Sequence, residues 1–255
     1  MEGLRAARYI RSVRRILTPL LAVLYPKRCA GCSVIVEENE SFCSHCLPHV
    51  QPIMSPLCSC CGIPFRTHEG PDHLCGQCLR EPPPFRQARA WAHYQQGETD
   101  LQPLSSAIQK FKYNRDLSVG KTLALLAATV CPLAYEQYDV IVPVPLHLAR
   151  LRWRGFNQAL LLSREIGTTH GIIVDPLLLE RARPTVPQTQ LTGKERRTNV
   201  KGAFTVSATD RLCNKRVLLV DDVYTSGATV HECAETLMSA GAEVVDVFTL
   251  ARAVN

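Results

Sequence analysis

No uninterrupted apolar stretch in this chain approaches the roughly eighteen residues of a transmembrane helix, and its first residues lack a signal-peptide cleavage pattern. A cytoplasmic protein is expected. Beyond the N-terminus there is also no excess of charge of either sign: residues 1–28 carry Arg5, Arg8, Arg11, Arg14, Arg15, Lys27 and Arg28 against Glu2, which accounts for the whole formal +6. A balance of that kind does not by itself argue for nucleic acid. Iron–sulfur signatures usually gather three cysteines in a tighter run than the paired two-residue spacers that dominate here, which weighs toward zinc.

What is present fits one well-buried α/β domain with a small appendage: 255 residues, 46% of them hydrophobic. Of the twelve cysteines, nine lie between Cys29 and Cys78, mostly as Cys-x-x-Cys pairs. In a reducing compartment that arrangement means metal rather than disulfides. The pairs Cys29/Cys32, Cys43/Cys46, Cys58/Cys61 and Cys75/Cys78 can supply four thiolates to each of two tetrahedral zinc ions, with Gly31, Gly62 and Gly76 permitting tight turns beside them. Sequential pairing is the simplest assignment, and a cross-braced one would use the same eight residues. Cys60 breaks the spacing of its pair and is left out. Nothing beside these sites resembles the open position and nearby acid of a catalytic zinc, so both are expected to be structural.

Residues 2–25 place Ala6, Ile10, Val13, Leu17, Leu20 and Leu24 at steps of three or four with arginines opposite, an amphipathic helix. It is read as packing on the rest of the chain, with membrane-surface or nucleic-acid contact as the alternative. Glu81-Pro-Pro-Pro84 reads as a stiff linker. Arg89 to Tyr94 alternates as a strand, two helical segments between Leu101 and Val130 meet near Asn114–Asp116, and Lys110-Phe-Lys-Tyr113 reads as an amphipathic turn, with contact to phosphates or bases as the alternative. The chain thus divides into a basic N-terminal helix (1–27), a double zinc ribbon (28–80), a proline-rich linker (81–87) and an α/β domain with a parallel sheet (88–255).

Val217 to Val220 read as a strand buried on both faces, running straight into Asp221 and Asp222. Thr225, Ser226, Gly227, Ala228 and Thr229 follow, and then a helix begins. A glycine-containing loop between a buried strand and a helix start gathers backbone N–H groups where negative charge is favoured, a place suited to phosphate. The loop has no lysine before its Ser/Thr, which excludes the usual P-loop. The two acids would repel a phosphate, so they face something else, sugar hydroxyls or magnesium. Together the two halves describe a ribose 5-phosphate.

Asp139 to Val142 is a second buried strand, ended by Pro143 and Pro145. His147, Arg150, Arg152 and Arg154 follow in what reads as a loop, and Gln158 opens a helix. Loops at the carboxyl ends of parallel strands can share one ligand, so this arginine-rich loop is a candidate second anion site. Leu177 to Glu180 reads as a third strand, residues 183–197 as a basic, mobile loop over the site, and Val244 to Leu250 as the last strand.

The stretch Val217 to Val230 resembles the binding motif for 5-phosphoribosyl 1-pyrophosphate (PRPP) of type I phosphoribosyltransferases. In that family the acids contact the ribose hydroxyls and the loop holds the 5-phosphate. The resemblance places those roles on Asp221 and Asp222, as catalytic residues, and on Thr225 to Thr229. With Pro143-Val-Pro-Leu-His147, Arg154-Gly-Phe-Asn-Gln158, Glu195 to Phe204 and the four cysteine pairs, the chain resembles the ComF/GntX family from about Leu20 to Arg252. Trp153 stands where basic residues are common in that family, and Tyr224 where valine is usual.

The resemblance implies a double zinc ribbon joined to a phosphoribosyltransferase-like domain, with His147, Arg150, Arg154 and Gln158 added to the PRPP-binding set and magnesium accompanying PRPP. It implies a link to competence and DNA uptake, with single-stranded DNA and other proteins of the competence machinery as partners. The activity expected is transfer of ribose 5-phosphate to an acceptor, with release of pyrophosphate. A non-catalytic, PRPP-responsive single-stranded DNA-binding protein is the alternative. Purine-type amidotransfer is not expected: such enzymes carry an N-terminal cysteine nucleophile, and this chain reads Met1-Glu2-Gly3 there. No general base stands out.

Overall fold

The structure, a computed structural model, describes residues 26–67, 69–95, 102–184 and 193–254. The amphipathic helix expected over residues 2–25 therefore lies outside the described residues. The cysteine-rich segment has little regular structure beyond isolated antiparallel bridges, Arg28 with Ile35 and Leu57 with Pro64, and a one-turn helix α1 (Gly76–Arg80).

Beyond it lies a five-stranded sheet with all neighbours parallel. Its strands are β1 (Gln87–Tyr94), β2 (Val140–Pro143), β3 (Ile173–Val174), β6 (Arg216–Tyr224) and β7 (Val244–Ala253), in the order β1-β7-β6-β2-β3. The central strand is β6, paired with β2 on one side and β7 on the other, and this is why Val217 to Val220 are fully buried. Alternate residues serve two cores. Leu218 and Val220 pack with residues of α2 (Pro103–Tyr113), α3 (Leu117–Val130) and α5 (Gln158–His170), including Phe111, Leu123 and Leu162. Val217 and Leu219 pack on the opposite face with Val230, Cys233 and Leu237 of α7 (Ala228–Ser239). Each such side chain contributes about 1.5–3 kcal/mol by leaving water.

Helices α2 and α3 meet at Asn114–Asp116 as expected, because the Asp116 carboxylate caps α3, accepting from the N–H groups of Ser118 and Val119 at 3.0 and 3.1 Å. Asn157 caps α5 in the same way, accepting from Leu160 N–H.

Three expectations are corrected. Strand β6 does not end at the acids: Val223 and Tyr224 still pair with Ala251 and Arg252 of β7, so Asp221 and Asp222 sit inside the strand. Arg150, Arg152 and Arg154 are not in a loop but in helix α4 (Leu148–Arg154), started by His147, whose Nδ1 accepts from Ala149 N–H at 3.2 Å, and stopped by Gly155 in the left-handed region. Leu177 to Glu180 is not a strand of the main sheet. Its later part becomes β4 (Leu179–Arg181), paired antiparallel with β5 (Phe204–Val206) in a separate two-stranded sheet. Of residues 183–197, positions 185–192 lie outside the described residues, and helix α6 (Gly193–Val200) follows.

The ribbon segment packs directly against the sheet. Gln51 to Ile53 run along the free edge of β1, Ile53 donating to Trp91 O at 2.8 Å and His93 to Gln51 O at 2.9 Å. Cys29, Phe42, Cys46 and Val50 belong to the same core as Leu104 and Ile108 of α2. Phe85 is buried, and Arg86 forms an ion pair with the fully buried Asp246 of β7. Burial opposes that carboxylate's charge, but Arg86, Tyr138 Oη at 2.7 Å and Gln87 hold its pKa below the ordinary value. Among the described residues no helix is long and apolar enough to cross a membrane.

Candidate active site and metal centres

At the carboxyl ends of β2 and β6 lies a cavity of about 580 Å³. Of the residues singled out in the sequence, Asp221, Asp222, Thr225, Gly227, Ala228, Thr229, His147, Arg150, Arg154 and Gln158 all line it. Ser226 does not line it; its Oγ accepts instead from Ala228 N–H at the start of α7. The β6 side of the cavity includes the loop before α7, where Gly227 has φ +74 and an added Cβ would lie 2.3 Å from Tyr224 Oη, so the ring would have to shift.

The acids stand next to one another in β6 and both line the cavity. Burial is the main cause that pushes Asp221 up to about 7, with the neighbouring charge of Asp222 adding to it. Asp222 is 7% exposed and receives the Lys112 ammonium at 2.8 Å. Burial works against the Lys112 charge, but Asp222 and Asp221 outweigh it and hold the ammonium above the ordinary lysine range. Arg154, itself buried, donates to Gln158 Oε1 at 2.7 Å and stands 5.7 Å from the Tyr113 ring centroid. Arg154 Nε and Gln158 Nε2 are buried without a protein partner among the described residues. Buried polar atoms left so are a common sign of a ligand or solvent not belonging to the chain.

Two further residues of the cavity were not among the site residues chosen from the sequence. Lys112 lay in a segment read as an amphipathic turn, and that reading holds for Phe111, which is fully buried, but not for its neighbour. Arg181, on β4, also lines the cavity, and its guanidinium lies 5.3 Å from the Phe204 ring. With Lys112, Arg150, Arg154 and Arg181 facing Asp221 and Asp222, cations outnumber acids. The cavity as a whole therefore favours an anion, while Asp221 and Asp222 offer two carboxylates to hydroxyls or a cation.

The cysteines resolve into two sets, Cys29/Cys32/Cys43/Cys46 and Cys58/Cys61/Cys75/Cys78, the sulfurs of each within 4.8 Å of one another. That is the sequential pairing. Tetrahedral thiolate zinc, with Zn–S near 2.3 Å, places sulfurs about 3.8 Å apart. Cys32 and Cys43 Sγ are 3.6 Å apart, and Cys61 and Cys75 Sγ 3.9 Å apart. The donor sets fit one zinc each. Backbone N–H groups point at the sulfurs: Cys43 to Cys29 at 3.3 Å, Cys61 and Cys75 to Cys58 at 3.4 and 3.3 Å. Burial disfavours the thiolates of Cys29 and Cys58, but these amides overcome it and lower both to about 7. Cys60 stays outside its cluster, its Sγ 3.8 Å from Phe85 O.

Comparison with known proteins matches residues 20–79 to a family described as a double zinc ribbon domain and residues 155–254 to one described as a phosphoribosyl transferase domain. The chain is 33% identical over 227 residues to Competence protein F of Haemophilus influenzae, covering 83% of this chain and 96% of that protein. It is 34% identical over 215 residues to DNA utilization protein YhgH of Salmonella typhimurium, covering 82% of this chain and 89% of that protein. It is 25% identical over 239 residues to Competence protein ComFC of Bacillus subtilis, covering 86% and 87%.

Proposed function

The chain belongs to the ComF family of double zinc ribbon, phosphoribosyltransferase-domain proteins, and from that premise we propose that its cavity binds PRPP and transfers ribose 5-phosphate to an acceptor during the handling of imported DNA in the cytoplasm. The observation that carries this reading is the set of groups gathered in one cavity: a glycine-containing loop at a helix start, two carboxylates and a guanidinium-bearing helix. PRPP brings the matching set of phosphate, hydroxyls and pyrophosphate. The relatives' names, competence protein and DNA utilization protein, are the reason for placing the reaction in DNA handling.

In this reading the loop from Thr225 to Thr229 receives the 5-phosphate, and Asp221 and Asp222 hold the ribose hydroxyls. Arg150 and Arg154 face the pyrophosphate. The acceptor's lone pair forms the new bond to ribose C1 as the bond from C1 to the pyrophosphate oxygen breaks, and the electron pair leaves with pyrophosphate. Positive charge develops on the sugar, and the two carboxylates are placed to favour it. Magnesium, when bound with PRPP, supplies charge neutralisation for the leaving group. The hydroxyls must share or displace the Lys112 ammonium now resting on Asp222.

Calorimetric titration with PRPP and magnesium tests the reading. Saturable binding is expected, lost in the double variant Asp221→Ala/Asp222→Ala while its zinc content stays unchanged. Unaltered PRPP affinity in that variant would remove the site assignment.

A second reading, PRPP-responsive binding of single-stranded DNA without transfer, draws on the cavity rim. Trp153 and Tyr113 are more than half exposed, with Arg115 and Arg154 near their rings. Aromatic faces interleaved with guanidinium groups suit unstacked bases. Steep salt dependence of DNA binding, with no pyrophosphate released in its presence, would favour this reading over transfer.

A further inference from the structure

Tyr224 and Arg252 belong to none of the roles assigned so far, yet they connect two parts of the molecule that the reading above keeps separate. The turn of the second metal cluster presents three successive backbone carbonyls to the sheet. Ser59 O accepts from Arg89 Nη2 at 3.0 Å, Cys60 O from Ala88 N–H at 2.7 Å, and Cys61 O from Arg252 Nη1 at 2.7 Å. Arg252 Nη2 is also 3.7 Å from Cys61 Sγ, one of the four candidate zinc ligands. Gly62 completes the fit, since a Cβ there would lie 2.3 Å from Ala88 O.

Arg252 is 6% exposed and lies beside Tyr224, its partner across the β6–β7 register, with the guanidinium carbon 4.0 Å from the ring centroid. The Tyr224 ring is itself buried, and its hydroxyl would lie 2.3 Å from a Cβ added at Gly227. A continuous set of contacts therefore runs from Cys61 through Arg252 and Tyr224 to the Gly227 loop of the cavity. Arg252 has few alternatives if the turn moves. Among the described residues, a buried guanidinium deprived of the Cys61 acceptors is left with Tyr224, a costly state.

We propose that the second cysteine cluster, when filled, sets the conformation of the Thr225–Thr229 loop through Arg252 and Tyr224, which act as positioning residues. The cluster is then part of the ligand site rather than a remote prop. Hydrogen bonds from outside the ligand set orient metal thiolates and are oriented by them, and any such coupling acts equally in both directions. The value of the loop as a phosphate site rests on the function proposed above; the coupling itself does not.

The test is hydrogen exchange with mass spectrometry on the zinc-loaded full chain and on Arg252→Met. The variant should retain two zinc equivalents, yet exchange at residues 225–230 should accelerate about tenfold or more, as the loss of one buried charge-assisted hydrogen bond allows. Exchange over Val217 to Val220 should not change. Arg252→Lys, which keeps a cation near the ring but cannot span both Cys61 acceptors, should fall between the two and serves as the folded comparison should the methionine variant be unstable.

Reciprocally, ribose 5-phosphate should slow the chelator-driven loss of zinc from the second cluster and not the first, and Arg252→Met should abolish that protection. Unchanged loop exchange in both folded, two-zinc variants would overturn the proposal. Accelerated exchange in protein that binds neither ribose 5-phosphate nor PRPP would uphold the coupling and overturn the phosphate assignment instead.

Discussion

Replacing Asp221 by asparagine should make the protein more stable, and by an amount that grows with pH. Asp221 is half-buried beside Asp222, and desolvation with that neighbour's charge raises its pKa from 3.8 to about 7. A carboxyl whose folded pKa is raised binds its proton more tightly in the folded state, so its contribution is fully present below the unfolded pKa and is lost as pH rises through 7. At 1.36 kcal/mol per pH unit, a rise of about three units means that Asp221 lowers stability by about 4 kcal/mol at pH 8.5, where it stays ionised in the fold, and by about 2 kcal/mol at pH 5.5, where folding must protonate it. Asparagine removes this cost. Its side-chain oxygen can still accept from Asp222 N–H, as Asp221 Oδ1 now does at 2.9 Å. Urea unfolding followed by circular dichroism, with zinc retained throughout, should therefore show the variant ahead by about 2 kcal/mol at pH 5.5 and about 4 kcal/mol at pH 8.5. PRPP binding should be lost in the same protein, the expected trade between stability and a strained functional group. A variant no more stable than the natural chain at pH 8.5, or a difference that does not change with pH, would refute the reasoning.

The remaining predictions use the same site and the ribbons. Lys112→Met leaves the acid pair without its ammonium and should destabilise the fold by about 3 kcal/mol at pH 8, with a smaller loss at pH 5.5 where Asp221 can take up a proton; chemical unfolding at the two pH values reads it. Gly227→Ala puts a Cβ at φ +74 and 2.3 Å from Tyr224 Oη, so about 1–2 kcal/mol of backbone strain should accompany loss of phosphate-ligand affinity in calorimetry. Metal analysis should find about one zinc equivalent fewer in Cys58→Ser, because four thiolates complete the site, and no loss in Cys60→Ser, whose sulfur faces Phe85 O.

Much of the fold could be read because its signals are local. Four consecutive apolar residues followed by two acids locate a central parallel strand, and cysteine spacing identifies eight ligands without any knowledge of the chain's path. Which pairs share a metal is different in kind. It depends on where the chain turns after Cys32 and Cys61, and the structure shows each turn folding back on its own half, with Cys43 N–H reaching Cys29 and Cys75 N–H reaching Cys58. Lys112 and Arg181 could not be assigned to the site for a similar reason. Lys112 meets Asp222 across 110 positions of sequence, and one residue's step around α2 separates a fully buried phenylalanine from a lysine facing the cavity. The helical arrangement of Arg150 to Arg154 was also hidden, since two prolines suggest a loop and the cap that starts the helix is a histidine, an uncommon choice.

The ribbons and the sheet are one structure at the level of packing, and this bears on why they occur in one chain. Removing residues 26–80 would free the edge of β1, leaving Trp91 O and His93 N–H without Ile53 and Gln51. An exposed strand edge of that kind invites association with other chains. It would also uncover Leu104 and Ile108 on the very helix that carries Lys112 to Asp222, and Lys110 would lose Gly31 O and Ser33 Oγ. On the other side Arg252 would lose Cys61 O, next to the tyrosine under the Gly227 loop. Each ribbon thus supports a different group of cavity residues, the first through α2 and the acid pair, the second through β7 and the loop. A phosphoribosyltransferase sheet whose ligand site leans on both metal clusters would be expected to lose ligand affinity on chelation before it loses its secondary structure.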